Sequence, residues 1–448
     1  MQTQSFVASS SFPECFKQLI PPSKLEKAWR HCVSGRGAPP LLGSLEFVMA
    51  LVYHCFCRGG TLAQHAARLN KTKISDSAFS QRRQNMPFEF FERLLAMALQ
   101  PFATEEKQPE AFYRGLRLTA FDGTQFSISN TPQALAGLSK AASRRFQAAF
   151  AKIGVCVLVE LGLHNPLALV IGHKQESELS LAGRLLAAIV PRSLLLADRL
   201  FGTGATLKEI GTACSAKESH FLVRVRRQLK ARALEIFKDG SALMEVHLHD
   251  KKHFRLCIGK ILVREIRGRV HKPGRGWSEV RLWTSLLDEQ TYPAAELFAL
   301  YARRWEQELY YKELKIDLRS SELLQSHTPQ TAAQEIAALI LASAIVARQR
   351  TAVAGQAEVE VSRISFRKTR DLFDSLCVVI EAGKEVLTPS QAQQLVERTI
   401  ALIAREALLP KRRSRSCPRA VRQPIKGWPR LAKNSSVEGD LISEIIPI

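Results

Sequence analysis

Two aspartates sit at the ends of apolar, strand-like stretches. Asp122 lies in Ala120-Phe121-Asp122-Gly123-Thr124, and Asp198 follows Ser193-Leu194-Leu195-Leu196-Ala197. A carboxylate placed there is partly stripped of water and needs a partner. A divalent cation meets that need, and sites made only of carboxylate oxygens suit Mg²⁺ or Mn²⁺. A third carboxylate would complete such a site, and the stretch around Tyr301–Lys315 offers one. Wound at about 100° per residue, it brings Tyr301, Arg304, Glu308, Lys312 and Lys315 into a sector of about 80°, with Trp305 on its border. Glu306, Glu313 and Asp317 fall on other faces. Glu308 alone is therefore ringed by cations and a phenol. Taken by itself, this helix reads more simply as a solvated one with an Arg304–Glu308 ion pair. Beside two strand-end aspartates it fits a metal-holding Glu308 flanked by phosphate-holding Tyr301, Arg304 and Lys315.

The charge of the chain points the same way. Among 448 residues, 64 Lys and Arg outweigh 42 Asp and Glu, for a net charge of +22. A surplus of this size calls for a polyanionic partner, nucleic acid or an acidic membrane. Apolar residues at 46% and charged residues at 24% are ordinary globular values, which excludes a disordered or collagenous chain. The nine cysteines are odd in number and form no CxxC, as in a reducing compartment. The first twenty residues lack the pattern of a secretion signal. The apolar runs Phe47–Cys57 and Ile336–Ala347 read as buried helices too short to span a bilayer. The expectation is a soluble intracellular protein with nucleic acid rather than a membrane as partner. Neither GxxxxGK[ST] nor GxGxxG occurs, so no ATP is expected.

The elements that must hold these residues follow from periodicity. Residues 1–105 read as helical. Within them, a helix to Leu69, a polar turn Asn70–Lys73 and a cap at Ser75 or Asp76 resemble a helix-turn-helix. Ser77, Ser80, Gln81, Arg83 and Gln84 would then face DNA, and two surface helices of a bundle are the equal alternative. From Leu116 the pattern changes to strands: 115–128, then two strands over 154–172 joined at His164–Pro166. Helix Glu176–Val190, strand Ser193–Ala197, helix Thr206–Cys214 and the strand from His220 follow. This order is an α/β core of mixed strand direction. Residues 226–290 read as a β-rich insertion. From Ser219 to Arg281 there are sixteen Lys and Arg against six Asp and Glu. A long helix is expected from Pro293 to about Ile316, then helices over Gln330–Arg350 and 385–408. The stretch 411–433, with nine basic residues and no acidic one, reads as an extended arm.

Asp122 in its strand, Asp198 in Ala197-Asp198-Arg199-x-Phe201, and Tyr301-x2-Arg304-x3-Glu308-x6-Lys315 resemble the DDE transposases of bacterial insertion sequences. The branch is the insertion-sequence-four family with its Tyr-Arg-Glu-Lys pattern. The intervals are 76 residues between the aspartates and 110 from Asp198 to Glu308, the longer one holding the β insertion. The resemblance extends over roughly residues 30–430 and includes 148–154, 177–186 and 416–424. It implies a ribonuclease-H-like core interrupted by a β-rich insertion, with a helical N-terminal domain and a helical C-terminal region. The domains would be 1–105 for DNA binding, 106–350 for catalysis (226–290 being the basic β insertion), 351–410 helical and 411–448 a basic tail. Asp122, Asp198 and Glu308 would be catalytic and would bind two Mg²⁺ or Mn²⁺ ions. Tyr301, Arg304, Lys315, Lys312 and Arg199 would hold DNA. The implied reaction is hydrolytic cutting at inverted-repeat ends, then attack of the freed 3′-hydroxyl on target DNA. A homodimer on double-stranded DNA, in the cytoplasm at the nucleoid, is the implied active form.

Other signals are weaker. His247, His249 and His253 have no spaced second pair for zinc and read as surface. His54, Cys55 and Cys57 read as core. Trp277 and Trp283 read as core aromatics, with base stacking as the other reading. Beside the enzyme stand two alternatives: a catalytically silent DNA-binding regulator or transposase remnant, and a structure-specific nuclease.

Overall fold

The computed structural model describes residues 11–33, 41–57, 59–142, 147–174, 176–249, 257–272, 276–319, 321–410, 415–416, 437–438 and 442–446. The chain is a mixed α/β protein of two compact units. One comprises residues 1–190 and 305–409, the other 191–304 and 410–448. His253 and most of the basic 411–433 stretch lie outside the described residues.

The first unit is built around helix Pro329–Gln356, which starts at a Thr328–Thr331 capping box. The expected helix Gln330–Arg350 is thus borne out and lengthened to 28 residues, with the apolar run Ile336–Ala347 at its centre. Ala, Thr and Gln on either side extend it, being good or tolerable helix formers without being strongly apolar. Its length and composition would let it cross a membrane, but 83% of its most apolar window is buried inside the protein. Helices Phe12–Leu19, Ser44–Phe56 and Phe88–Ala98 pack on it.

Helices Leu62–Asn70 and Asp76–Gln84 form as the sequence predicts. Thr61 and Gln64 make a capping box on the first, Lys71 ends it in the left-handed region (φ 56°), and Ser75 caps the second. Arg83 departs from the expected DNA-facing set. It is buried and donates to Ser326 Oγ at 2.9 Å and to the Thr331 carbonyl at 2.8 Å. Phe79, one turn earlier, is buried with it, so this face of the helix turns inward. Ser77, Ser80, Gln81 and Gln84 remain exposed.

The sheet of this unit pairs Leu116–Ile128 antiparallel with Gln147–Glu160, and that strand with Asn165–Ile171. The turn between the last two comes slightly before the predicted one. It uses Gly162 (φ 84°) and His164 (φ 56°), while Asn165 and Pro166 already belong to the strand. Asp122 lies in the middle of Leu116–Ile128 rather than at a strand end, because pairing with Gln147–Glu160 continues past it, and the register sets it opposite Val157 and Gly123 opposite Cys156.

In the second unit, Ser193–Ala197 runs parallel to His220–Arg224, with helix Gly204–Ser215 between them in sequence. The all-apolar Ser193–Ala197 strand is wholly buried, as that composition demands. Next come the antiparallel strands of the basic insertion: Gly276–Thr284, Cys257–Lys272, Ala242–His249 and Arg232–Ile236, paired in that order. Strand Ile442–Ile445 pairs with Gly268–His271. Trp283 is fully buried and donates to Glu265 Oε2 at 2.6 Å, which bears out its core reading. Trp277 does not follow. It is 46% exposed, opposite His271, with the Arg269 guanidinium 4.5 Å from its ring centre. Strand Gly276–Thr284 is buried only at its Thr284 end, and Trp277 lies at the exposed one.

The long helix expected from Pro293 to Ile316 is not one α-helix. It is α over Ala294–Leu300, 3₁₀ over Tyr301–Arg304, α over Trp305–Lys312 and π over Glu313–Leu318. A wheel of constant pitch therefore misplaces residues. Lys312 pairs with Asp317 at 2.9 Å, because a π turn brings i and i+5 to one face.

Candidate active site

In the first unit, the Asp122 strand and the Glu308 helix are joined by hydrogen bonds. Gln307 Nε2 donates to the Val157 carbonyl at 3.2 Å. The Tyr311 hydroxyl accepts from Val157 N–H at 3.3 Å and donates to the Asp122 carbonyl. Both partners belong to one cross-strand pair, so Trp305–Lys312 crosses the sheet at the level of Asp122. Gln307 and Tyr311 are buried, whereas Glu308 is half-buried on the turn between them.

Lys315 donates to Thr124 Oγ1, two residues beyond Asp122. Its ammonium lies 5.2 Å from the Phe126 ring centre. Burial lowers its pKa to about 8, and the nearby Arg319 and Lys152 cations add to the shift. Lys315 and Arg319 over one aromatic ring, with Lys152 adding to the positive charge at Lys315, form a place where an anion would relieve repulsion. Lys312, by contrast, is exposed and already engaged by Asp317.

Glu313 begins the π segment and is 7% exposed. It accepts from His164 Nδ1 at 2.8 Å and from Arg350 at 2.9 Å. Burial pushes its carboxyl up, but His164 and Arg350 outweigh burial and hold it below the usual range. Glu306 accepts from Gly162 N–H at 2.6 Å. Both acids are thus committed to the turn between two strands.

In the second unit, Asp198 ends the buried strand Ser193–Ala197 and accepts from Arg199 N–H. A tight turn follows, with Phe201 N–H donating to the Asp198 carbonyl at 3.0 Å. The Tyr301 hydroxyl donates to the Ala197 carbonyl at 3.2 Å. Burial pushes the Tyr301 phenol well up, and Arg304, Asp198 and Arg224 are its charged neighbours. This unit therefore places Arg304, Asp198 and Arg224 around Tyr301. Arg199 is exposed.

Sequence reasoning missed Glu178. Gly123 N–H donates both to Asp122 Oδ1 at 2.9 Å and to Glu178 Oε1 at 3.1 Å. Glu178 opens helix Glu178–Leu185, capped by Ser177. The capping pattern was legible, but the contact with Asp122 depends on pairing across the sheet. Gln307 and Tyr311 were also missed, because they act through backbone partners.

Among the described residues, no group of three or more His, Cys, Asp and Glu is gathered as a metal cluster. The donor chemistry of Asp122, Asp198 and Glu308 is oxygen only, the kind Mg²⁺ and Mn²⁺ take.

Comparison with known proteins bears on these residues. The family model described as "Transposase DDE domain" matches residues 113–345, a span that contains every candidate above. A curated relative, the transposase InsG for insertion sequence element IS4 of Escherichia coli (strain K12), is 24% identical over 368 residues. That match covers 82% of this chain and 80% of the relative. The cryo-EM structure of a piggyBac transposase synaptic complex with hairpin DNA is similar at TM-score 0.45 and 8% identity, over 91% of this chain and 87% of that one. A likeness this loose carries no weight here.

Proposed function

Because the chain belongs to the DDE transposases of the insertion-sequence-four family, we propose that it binds the terminal inverted repeats of an insertion sequence, cleaves the DNA ends and joins their 3′-hydroxyls to target DNA. The observation that carries this reading is the family match over 113–345, within which Asp122, Asp198 and Glu308 all stand with Tyr301, Arg304 and Lys315.

Asp122, Asp198 and Glu308 are the residues that would hold two divalent cations. Such ions, when bound, would lower the pKa of a water and offset charge on the attacking and leaving oxygens. The rest falls to the chain. Tyr301, held by the Ala197 carbonyl, and Arg304 present a phenol and a guanidinium beside Asp198 to orient a phosphate. Lys315, whose pKa of about 8 leaves it largely charged at neutral pH, is held at Thr124 to grip a phosphate. Lys312 and Arg199 are outer phosphate contacts, Lys312 exchanging Asp317 for DNA. The core is ribonuclease-H-like in this proposal. The helices of residues 1–105 read the repeats, and the basic strands of 226–290 add salt-dependent grip. Two copies hold the two ends, and the protein works in the cytoplasm on the nucleoid.

The test is a plasmid carrying the DNA that flanks the gene, incubated with purified protein in Mg²⁺ or EDTA. Nicks at two inverted ends in Mg²⁺ are expected, and Glu308→Gln should lower cutting by at least a hundredfold while end binding persists. Binding with no cutting in Mg²⁺ or Mn²⁺ would instead establish a silent DNA-binding remnant.

A further inference from the structure

We propose that Arg319 and Lys152 join Lys315 in a subsite beside Phe126, on the Asp122 strand, that takes a DNA backbone phosphate. The inference rests on the proposed transposase reading and adds to it two residues outside the Tyr-Arg-Glu-Lys pattern. Phe126 is 1% exposed, and its ring centre lies 5.2 Å from the Lys315 ammonium and 5.4 Å from the Arg319 guanidinium. Lys315 lies in the π segment Glu313–Leu318, and Arg319 follows it directly. Lys152 comes from the neighbouring strand, opposite Ser127, and donates to the Ser127 hydroxyl. Lys315 donates in the same way to the Thr124 hydroxyl.

All three cations are half-buried, and the groups they touch are neutral. A hydroxyl accepts a hydrogen bond without supplying a counter-charge, and an aromatic face supplies only part of one. Arg319 adds an independent sign: its Nη2 is buried and meets no hydrogen-bond acceptor. A donor stripped of water in this way needs an oxygen. Burial lowers the Arg319 pKa, and Glu335 is the acid that most opposes that shift. Glu335 is itself engaged, accepting from Gln325 N–H at 3.1 Å and from Ser326 N–H at 3.0 Å. Burial also lowers the Lys315 pKa to about 8, with Arg319 and then Lys152 adding to the shift. Like charges gathered out of water repel, and an oxyanion among them would relieve the repulsion and satisfy the orphaned Nη2. A guanidinium fork and two ammoniums suit the several oxygens of a phosphate. In a transposase the phosphate at hand is that of the DNA backbone. Thr124 stands two residues from Asp122, so the subsite adjoins the proposed cutting centre.

Fluorescence-anisotropy titration of the full-length protein with a duplex from the mapped element end, in EDTA so that nothing is cut, tests the subsite apart from catalysis. Arg319→Gln and Lys152→Gln should each weaken binding about tenfold. Each should also reduce the slope of log affinity against log salt by about 1, which a merely structural role would not move. Arg319→Lys should recover the slope and part of the affinity. A scan of single methylphosphonate linkages, each removing one phosphate charge, should find a linkage that weakens wild-type binding but has no further effect on Arg319→Gln. Thermal melts establish that each variant is folded. If folded Arg319→Gln and Lys152→Gln keep the wild-type salt slope, and every methylphosphonate acts on them as on wild type, the proposal is overturned and the DNA reading stands. Inorganic phosphate that binds wild type but not Arg319→Gln, with no linkage coupled, would mark a free-anion site and also overturn it. If wild-type protein does not bind the duplex at all, the transposase reading itself fails and takes the proposal with it.

Discussion

His65 shows how far burial alone can shift a side chain away from the candidate site. It is 1% exposed, its Nε2 faces the Gly59 carbonyl at 2.8 Å, and its Nδ1 faces His54 Nδ1 at 3.2 Å. Burial lowers its pKa to about 4, with the neighbouring His54 and Arg68 charges acting in the same direction. The unfolded ring, at about 6.5, takes up a proton first as pH falls. Stability is therefore complete above about pH 6.5 and is lost as pH drops through 4, by on the order of 3 kcal/mol. Urea melts at pH 7 and pH 4.5 should show that loss, and His65→Gln should flatten it. If the two proteins lose stability in parallel, His65 is not the cause.

At the scale of elements, the π segment Glu313–Leu318 is anchored at its start by the buried Glu313. Glu313 anchors it to His164 and Arg350, and Arg350 also donates to the Leu163 carbonyl at 2.7 Å. Glu313→Ala would leave the Arg350 guanidinium buried without its counter-charge. Removing one partner of such a pair costs about 3–5 kcal/mol, and a denaturant midpoint close to wild type would refute the anchoring role. The same segment marks where sequence reading ends. The Asp122 and Asp198 strands were legible because alternation and an all-apolar run each admit few alternatives. The 3₁₀ and π turns were not legible, since both depend on which partners Tyr301 and Glu313 find elsewhere in the fold. Arg83 misled for a related reason: a buried arginine looks like a surface one until its acceptors, Ser326 Oγ and the Thr331 carbonyl, are in place. Glu178 stayed hidden because 55 residues separate it from its shared donor.

At the scale of the whole molecule, the first unit is discontinuous in sequence. Residues 1–190 and 305–409 make one body, and the chain builds 191–304 in between. Helix Pro329–Gln356 is the common packing partner of Phe12–Leu19, Ser44–Phe56, Phe88–Ala98 and strand Asn165–Ile171, though the elements it packs against are made much earlier. A fragment of residues 1–190 is thus expected to be insoluble when expressed alone, and co-expression of 305–409 should rescue it. A soluble, cooperatively melting 1–190 fragment would contradict that dependence.

The order of synthesis follows from the same threading. At roughly 5–20 residues per second, a ribosome needs about 10–30 s to travel from Val190 to the end of that helix. Throughout that interval the faces of Ser44–Phe56 and Phe88–Ala98 that pack on Pro329–Gln356 lack that cover. The nascent chain is then a client for holding chaperones, and a message broken before the codon for Pro329 yields a product for proteases. Candidate residues as early as Asp122 can take up their working arrangement only after the last part of their unit has left the ribosome.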